Sequence, residues 1–285
     1  MIQHILRTRY QASLTIEDGD FGAFSDWAVA VNGLLFIGQG FLVDPRGNTL
    51  LPPDGGAGDE GAMLPYPADA VARKARHMED FARRGWKVAS SLSPVLGEAE
   101  LVTKSPQDVA LRSIALMMTA VQAESMSQAE GSMAAAFKER YPWAWQALTP
   151  AEFAFMTNAA PAEQEMLNFS WRYEALNVLA WAMGIQPALP FPDAICDVAS
   201  LVRALSSAAE RLREDPPQLR PVADLLDQLD LHFRLHWMAR QARLDEQEPP
   251  AGLHPGVLQE RHHALNWLLG FGNLGVAWDD IDTPT

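Results

Sequence analysis

The histidines in the C-terminal half of the chain are the residues whose spacing best suits chemistry. His232 and His236 are four residues apart, so a helix brings them one turn apart, a spacing that can hold a metal ion. Glu260, His262 and His263 could supply a third ligand from another helix. However, no glutamate lies between the first two histidines to act as a general base, and histidines more often hydrogen-bond across a helix pair. We therefore predict no bound metal.

Charged residues are also interspersed with tryptophans along this half. They are Arg172 and Glu174 beside Trp171, Asp230, Arg234 and Arg240 around Trp237, Arg261 and His262 before Trp267, and Asp279 and Asp280 after Trp278. We interpret Arg172, Glu174, Arg234, His236, Arg261 and His262 as a structural polar cluster whose members pair with one another. The alternative is a polar pocket of an enzyme or small-ligand-binding protein, built from Arg172, Glu174, Asp230, His236 and Arg261.

Familiar catalytic motifs are missing from the sequence. Gly270 to Gly275 fits the GxGxxG spelling, but it follows a predicted helix, whereas a dinucleotide site needs a strand before it and a helix after it. We read these glycines as helix terminators. No phosphate-binding loop, nucleophile elbow or HExxH motif occurs, and Cys196 reads as a small buried apolar residue. The sequence therefore predicts no catalytic residue and no cofactor.

The net charge is the feature of the composition that says most about binding partners. The chain carries a formal charge of −14, and residues 105–285 hold 12 basic against 23 acidic side chains. Such a field repels nucleic acid and anionic membranes and attracts a basic protein, although solubility alone would also explain it. The predicted partner-binding residues are Asp224, Asp227, Asp230, Asp245, Glu246, Asp279, Asp280 and Asp282.

The composition also bears on whether the chain is folded and on its cellular compartment. A hydrophobic content of 48% with nine tryptophans excludes general disorder. No signal peptide or membrane-spanning run is found, and a single cysteine excludes an intrachain disulfide, so we expect a cytoplasmic protein. Five cations, Arg73, Lys74, Arg76, Arg83 and Arg84, form the one basic cluster, which we interpret as a solvated helix face rather than a phosphate-binding surface.

The first hundred residues predict a small antiparallel sheet with one helix. Residues 26–31 alternate like a strand, and Asn32-Gly33 is a strong hairpin signal before residues 34–37. Strands are also predicted at 41–44 and 49–51, with 13–16 and 86–90 as further candidates, and a helix over 68–84.

Helix signals dominate from Ser105 onwards. Ser105 and Thr149 each precede a proline and stand three residues before an acid, the pattern of a capped helix start. Residues 171–183 are apolar around nearly the whole helix circumference and end at Gly184, which predicts a central buried helix. Further helices are expected near 127–140, 162–184, 193–213, 219–244 and 255–270. The predicted fold is α+β, with a small domain over 1–104 and a larger all-helical domain over 105–285.

Four segments carry a resemblance to a known family. These are WRYEALNVLAWAMG at 171–184, LDLHFRLHWMAR at 229–240, ERHHALNWL at 260–268, and WDD at 278–280 with Thr283 behind it. In order and spacing they resemble an uncharacterised bacterial family catalogued as domain of unknown function 4272, over about residues 105–285. That family implies no activity, cofactor or catalytic residue.

The size and acidity of the chain suggest a function, although its motifs do not. Its acidity and modest size resemble the immunity proteins that neutralise toxins delivered between bacteria, as in type VI secretion, although no motif supports this likeness. Our hypothesis is a cytoplasmic, non-enzymatic immunity protein for a basic, nuclease-type toxin.

Overall fold

The computed structural model describes residues 4, 5, 8, 10–16, 21–272 and 275–285. It confirms the α+β class, with a small antiparallel sheet near the N-terminus followed by a helical part. The chain divides into two compact units, Met1–Ala72 and Arg73–Thr285. The sequence placed the domain boundary after residue 104, whereas the second compact unit begins at Arg73. Residues 73–104 contact the later helices of that unit: Arg234 donates to the carbonyl of Ser93, and the Lys104 amide donates to the carbonyl of Leu268.

The sheet of the first unit contains three short strands in the order β1-β2-β3. They are β1 Leu35–Ile37, β2 Phe41–Val43 and β3 Thr49–Leu51, all antiparallel. Asp44 builds the turn after β2: its carboxylate accepts hydrogen bonds from the amides of Arg46 and Asn48 and from the Asn48 side chain. Burial alone would raise the pKa of Asp44, but these hydrogen bonds hold it below its usual value.

The segment predicted as the first strand is a helix, α1 Phe21–Ala30. Short apolar runs fit both periods, and here the rings of Phe21, Phe24 and Trp27 contact one another in succession at helical spacing. Asn32 takes a left-handed conformation with φ of 51°, and the Gly33 amide donates to the carbonyl of Ala28. The Asn-Gly pair therefore closes a helix in a Schellman motif and does not turn a hairpin.

Two further strand predictions were wrong. Ser13–Ile16 and Trp86–Ser90 are outside any strand. Trp86, in the second unit, instead packs its ring against Phe81 and Phe191, with centroids 5.7 and 5.8 Å away. These aromatic contacts of the partly buried Trp86 outweigh its β propensity.

The second unit is built from helices, and its described residues form no strand. The helix α2 Ala68–Arg83, predicted from the sequence, crosses the boundary between the units. The others are α3 Pro106–Ser127, α4 Ala134–Arg140, α5 Pro142–Trp145, α6 Pro150–Thr157, α7 Glu163–Ser170, α8 Arg172–Ala182, α9 Val198–Glu214, α10 Val222–Leu244 and α11 Pro255–Leu269.

Local sequence fixed several of these helix ends as predicted. Ser105 and Thr149 accept hydrogen bonds from the amides of Asp108 and Glu152, and both starts are complete capping boxes. Gly184 and Gly270 take left-handed φ angles of 72° and 66° just after α8 and α11. The helix-terminator interpretation of Gly270 is confirmed, whereas Asn273 and Leu274 of the same stretch lie outside the described residues.

The central helix is α8. Every residue from Tyr173 to Ala182 is buried, as its apolar circumference predicted. It packs against α3 and α11, while α10 packs on the other side of α11. The polar side chains of interest project from α8, α10 and α11, so these three helices position the candidate site.

Candidate functional site

Two ion pairs join α8 to α11. Arg172 lies 3.0 Å from Glu260, and Arg261 lies 2.9 Å from Glu174, in a pair whose side chains are 1% and 2% exposed. The second oxygen of Glu174 accepts the backbone amide of Cys196, and Arg261 also donates to the carbonyl of Pro190. Arg172 and Glu174, charges on a buried helix, thus both have partners in α11. Glu174 pairs with Arg261 inside the predicted structural cluster, whereas the partner of Arg172 is Glu260, which the prediction did not include.

The Cys196 thiol and the Glu260 carboxyl are the titratable groups of interest beside these pairs. Burial raises the pKa of the Cys196 thiol, and the Glu174 carboxylate beside it acts in the same direction. Both effects favour the protonated thiol over the nucleophilic thiolate. Burial also raises the pKa of Glu260, which the Arg172 guanidinium opposes. Ion pairs that only stabilise a fold also perturb pKa values, so the raised pKa of Glu260 does not by itself indicate catalysis.

A second cluster joins α2 to α10. Asp230 is fully buried and receives two hydrogen bonds from Arg234, also fully buried, and one contact from His77 at 2.8 Å. Desolvation would lower the pKa of His77, but the hydrogen bonds to Asp227 and Asp230 raise it to about 9. His77 is therefore a cation at neutral pH that balances the two carboxylates.

The histidines of α10 and α11 form a third cluster. His236 Nδ1 lies 3.0 Å from His262 Nδ1, and His232 Nδ1 donates to the carbonyl of Gln228. Desolvation lowers the pKa of His232 to about 3 and of His236 to about 4, helped by Arg261 and Arg240 respectively. Across the described part of the chain, no three histidine, cysteine, aspartate or glutamate side chains come together as metal ligands, so the third ligand considered from Glu260, His262 or His263 is not supplied.

A buried pair that the sequence analysis missed joins α3 to α6. Arg112 and Glu152 are 6% and 1% exposed and form a short ion pair, and the Arg112 guanidinium lies over the Trp278 ring, 5.2 Å from its centroid. The edge of His263 also packs on that ring. The available signal was an arginine within an otherwise apolar stretch of a 22-residue helix, which must find a buried partner.

The side chains of the predicted basic cluster on α2 form hydrogen bonds and ion pairs within the second unit. Lys74 donates to the carbonyls of Ser90 and Leu92, Arg76 pairs with Asp227, and Arg83 and Arg84 pair with Asp80. Together with Arg73, these side chains fasten the helix, and most of their charge is locally compensated.

The predicted partner-binding carboxylates do not form one surface. Asp230 is buried in its ion pairs, so its assignment to a contact surface is corrected, and Asp227 is half-buried between Arg76 and His77. Asp224 and Asp245 are both exposed but stand at opposite ends of α10, about 30 Å apart at the helical rise. Glu246, Asp279, Asp280 and Asp282 are also exposed.

Two open grooves lie on the second unit. One, of about 500 Å³, is lined by Gly184, Arg211, Asp215 and Pro217 among others. The other, of about 520 Å³, is lined by His236, Arg240, Arg243, Gln259 and Asp282 among others. Of the five residues in the alternative polar-pocket hypothesis, His236 lines the second of these two grooves, whereas Arg172, Glu174, Asp230 and Arg261 line neither of them.

Fold and site together define the class of the second unit: a helical domain with several ion pairs in its interior, some between helices and one within a helix. The chain belongs to the family described as Domain of unknown function (DUF4272), whose profile matches residues 73–281. The match begins before residue 105, where the resemblance was placed, and it starts where the second compact unit does.

The other comparisons add no relative. No curated protein matches the chain, and no solved structure matches it. Within the described residues, none of the helices combines the length and apolarity needed to cross a bilayer.

Proposed function

We propose that this is a non-enzymatic binding protein that acts in the cytoplasm and recognises a basic protein. The supporting observation is the division of charge in the second unit. Several charged groups in its interior form ion pairs, as in Arg261–Glu174 and Arg234–Asp230, whereas carboxylates such as Asp245 and Glu246 stand exposed without a cationic partner among the described residues. Buried pairs hold a fold together, and exposed uncompensated charge acts on what approaches it.

The more specific proposal is an immunity protein that neutralises a basic, nuclease-type toxin delivered between bacteria. Electrostatic attraction would raise the association rate above the neutral range of roughly 10⁵–10⁶ M⁻¹s⁻¹. Two separate groups of carboxylates are candidates for the contact: Asp245 and Glu246 after α10, and Asp279, Asp280 and Asp282 in the segment after α11. Asp224 stands apart from Asp245, at the other end of α10.

The test is direct binding to the product of the neighbouring gene. We expect a complex that weakens as salt rises, and a weaker complex when Asp245 and Glu246 are both changed to lysine. Glu130 and Glu139, also exposed, changed to lysine provide a control with the same change in charge on other elements. If both pairs weaken binding equally, the effect is one of net charge and the assigned surface is wrong.

A cellular experiment tests the immunity proposal separately. Deleting the gene should make cells vulnerable to their own kin, and restoring it should protect them. Cells that remain equally resistant without it, and that carry no toxin-like gene beside it, would refute immunity.

A further inference from the structure

The groove between α10 and α11 carries a set of hydrogen-bond donors that the proposed function does not use. Arg240 and Arg243 stand three residues apart on its wall, and both are exposed. Neither forms an ion pair with any described residue; Arg240 donates one hydrogen bond, to the Thr285 hydroxyl. Two neighbouring arginines therefore face one concave surface with guanidinium N–H groups left to donate.

The floor of this groove is His236, which is 4% exposed. Its Nδ1 is engaged with His262 Nδ1, so Nε2 is the ring nitrogen left for a ligand. His262 Nε2, by contrast, is fully enclosed and has no hydrogen-bond partner. Desolvation and the nearby Arg240 lower the pKa of His236 to about 4, so its ring is neutral at neutral pH.

Hydrogen-bond balance assigns the tautomers of this pair. If His236 donated its Nδ1 proton to His262, the His262 proton would sit on the enclosed Nε2 with nothing to receive it. The desolvation cost of an enclosed N–H without an acceptor is uncompensated, so this arrangement is disfavoured. His262 therefore donates from Nδ1, and His236 carries its proton on Nε2. The groove floor thus presents a donor.

The beginning of α11 adds positive potential to the same groove. Pro255 and Gly256 line it, and the amides of Gly256 and Val257 belong to the first turn, where no capping side chain engages them. Gly256 lies against the Trp171 ring, since an added Cβ would come within 2.9 Å of the indole. Trp171 therefore fixes the position of this helix start. The partial positive charge at a helix N-terminus favours a negative ligand.

We propose that this groove binds a compact oxyanion, the carboxylate or phosphate of a small molecule, between Arg240, Arg243, His236 Nε2–H and the start of α11. Its volume of about 520 Å³ falls within the range of small-molecule sites. Asp282 is a carboxylate on the groove wall, where its Oδ1 accepts the Thr283 amide. The Asp282 carboxylate repels a bound anion. Removing its charge should therefore tighten anion binding, whereas removing either arginine should weaken it.

The probes are inorganic phosphate and acetate, titrated into the full-length protein at constant ionic strength while histidine side-chain nitrogen resonances are followed by NMR. We expect saturable shifts at His236. Arg240→Ala and Arg243→Ala should each weaken binding by about 10-fold, the loss of one charge-assisted hydrogen bond, while Asp282→Asn should tighten it. Tighter binding of phosphate would assign a phosphate-bearing ligand, and tighter binding of acetate a carboxylate.

Arg211→Ala is the matched control, because Arg211 lines the other groove and its removal changes the net charge equally. Circular dichroism establishes that each variant is folded. The proposal is overturned if neither probe gives a saturable shift at His236, if Arg211→Ala weakens binding as much as Arg240→Ala, or if Asp282→Asn weakens it. The test is independent of the protein partner, since it needs no toxin.

Discussion

Removing one member of the Glu174–Arg261 pair tests whether interior pairing holds the helical unit together. Arg261→Met leaves the Glu174 carboxylate, 2% exposed, with only the Cys196 amide as a donor, and deprives the Pro190 carbonyl of its donor. Breaking a buried ion pair in this way should lower the free energy of unfolding by about 3–5 kcal/mol. Glu174→Gln should also destabilise, because it leaves the arginine charge enclosed.

The double variant separates pairing from packing. With both charges removed, part of the loss should be recovered, giving a coupling free energy of about 1.5–3 kcal/mol between the two positions. Urea unfolding, followed by tryptophan fluorescence and far-ultraviolet circular dichroism, measures the free energy of unfolding of the wild type, the two single variants and the double variant.

An exposed pair of the same length is the control. Arg213 and Glu214 are also 2.9 Å apart, but their side chains are 46% and 69% exposed. Arg213→Met should therefore change stability by less than about 1 kcal/mol. If Arg261→Met costs no more than this control, or if the two buried substitutions are additive, the interior pairs are not structural fasteners and the reasoning fails.

Three further predictions concern the core and the histidines. Trp181→Ala should cost about 3–5 kcal/mol in urea unfolding, because the ring is 6% exposed in the central helix; a loss under about 1 kcal/mol would contradict its core position. His77, with its pKa raised to about 9, stabilises the fold fully below pH 6.5 and loses this contribution as pH rises through 9. His77→Gln should therefore flatten the alkaline loss of stability, about 3 kcal/mol between pH 6 and 10. His236 and His263, with pKa values lowered by desolvation to about 4 and about 3, bind protons more readily when unfolded. Stability should fall as pH drops from 6.5 towards 4, and His263→Phe should move acid unfolding, followed by circular dichroism, to lower pH; an unchanged midpoint would contradict this.

The sequence predicted helices far better than it predicted the site. The caps at Ser105 and Thr149 and the stop at Gly184 involve residues within one or two turns of each other, so their patterns are readable without the fold. Asn32-Gly33 shows the limit of such patterns. The same left-handed preference serves a hairpin or a helix end, and here it closes α1.

The sequence by itself determined that the chain is mainly helical after residue 105, that α8 is enclosed, and that Arg172 and Glu174 need partners. These follow from periodicity and from the free-energy cost of burying an unpaired charge. Only the tertiary structure decided which residues those partners are, since Glu260 and Arg261 are remote in sequence and come close only when α11 packs on α8. It also placed Asp230 inside and Asp245 outside, although both are aspartates on or beside α10. A carboxylate's role is set by the elements that cover it, and those are determined by packing over long sequence separations.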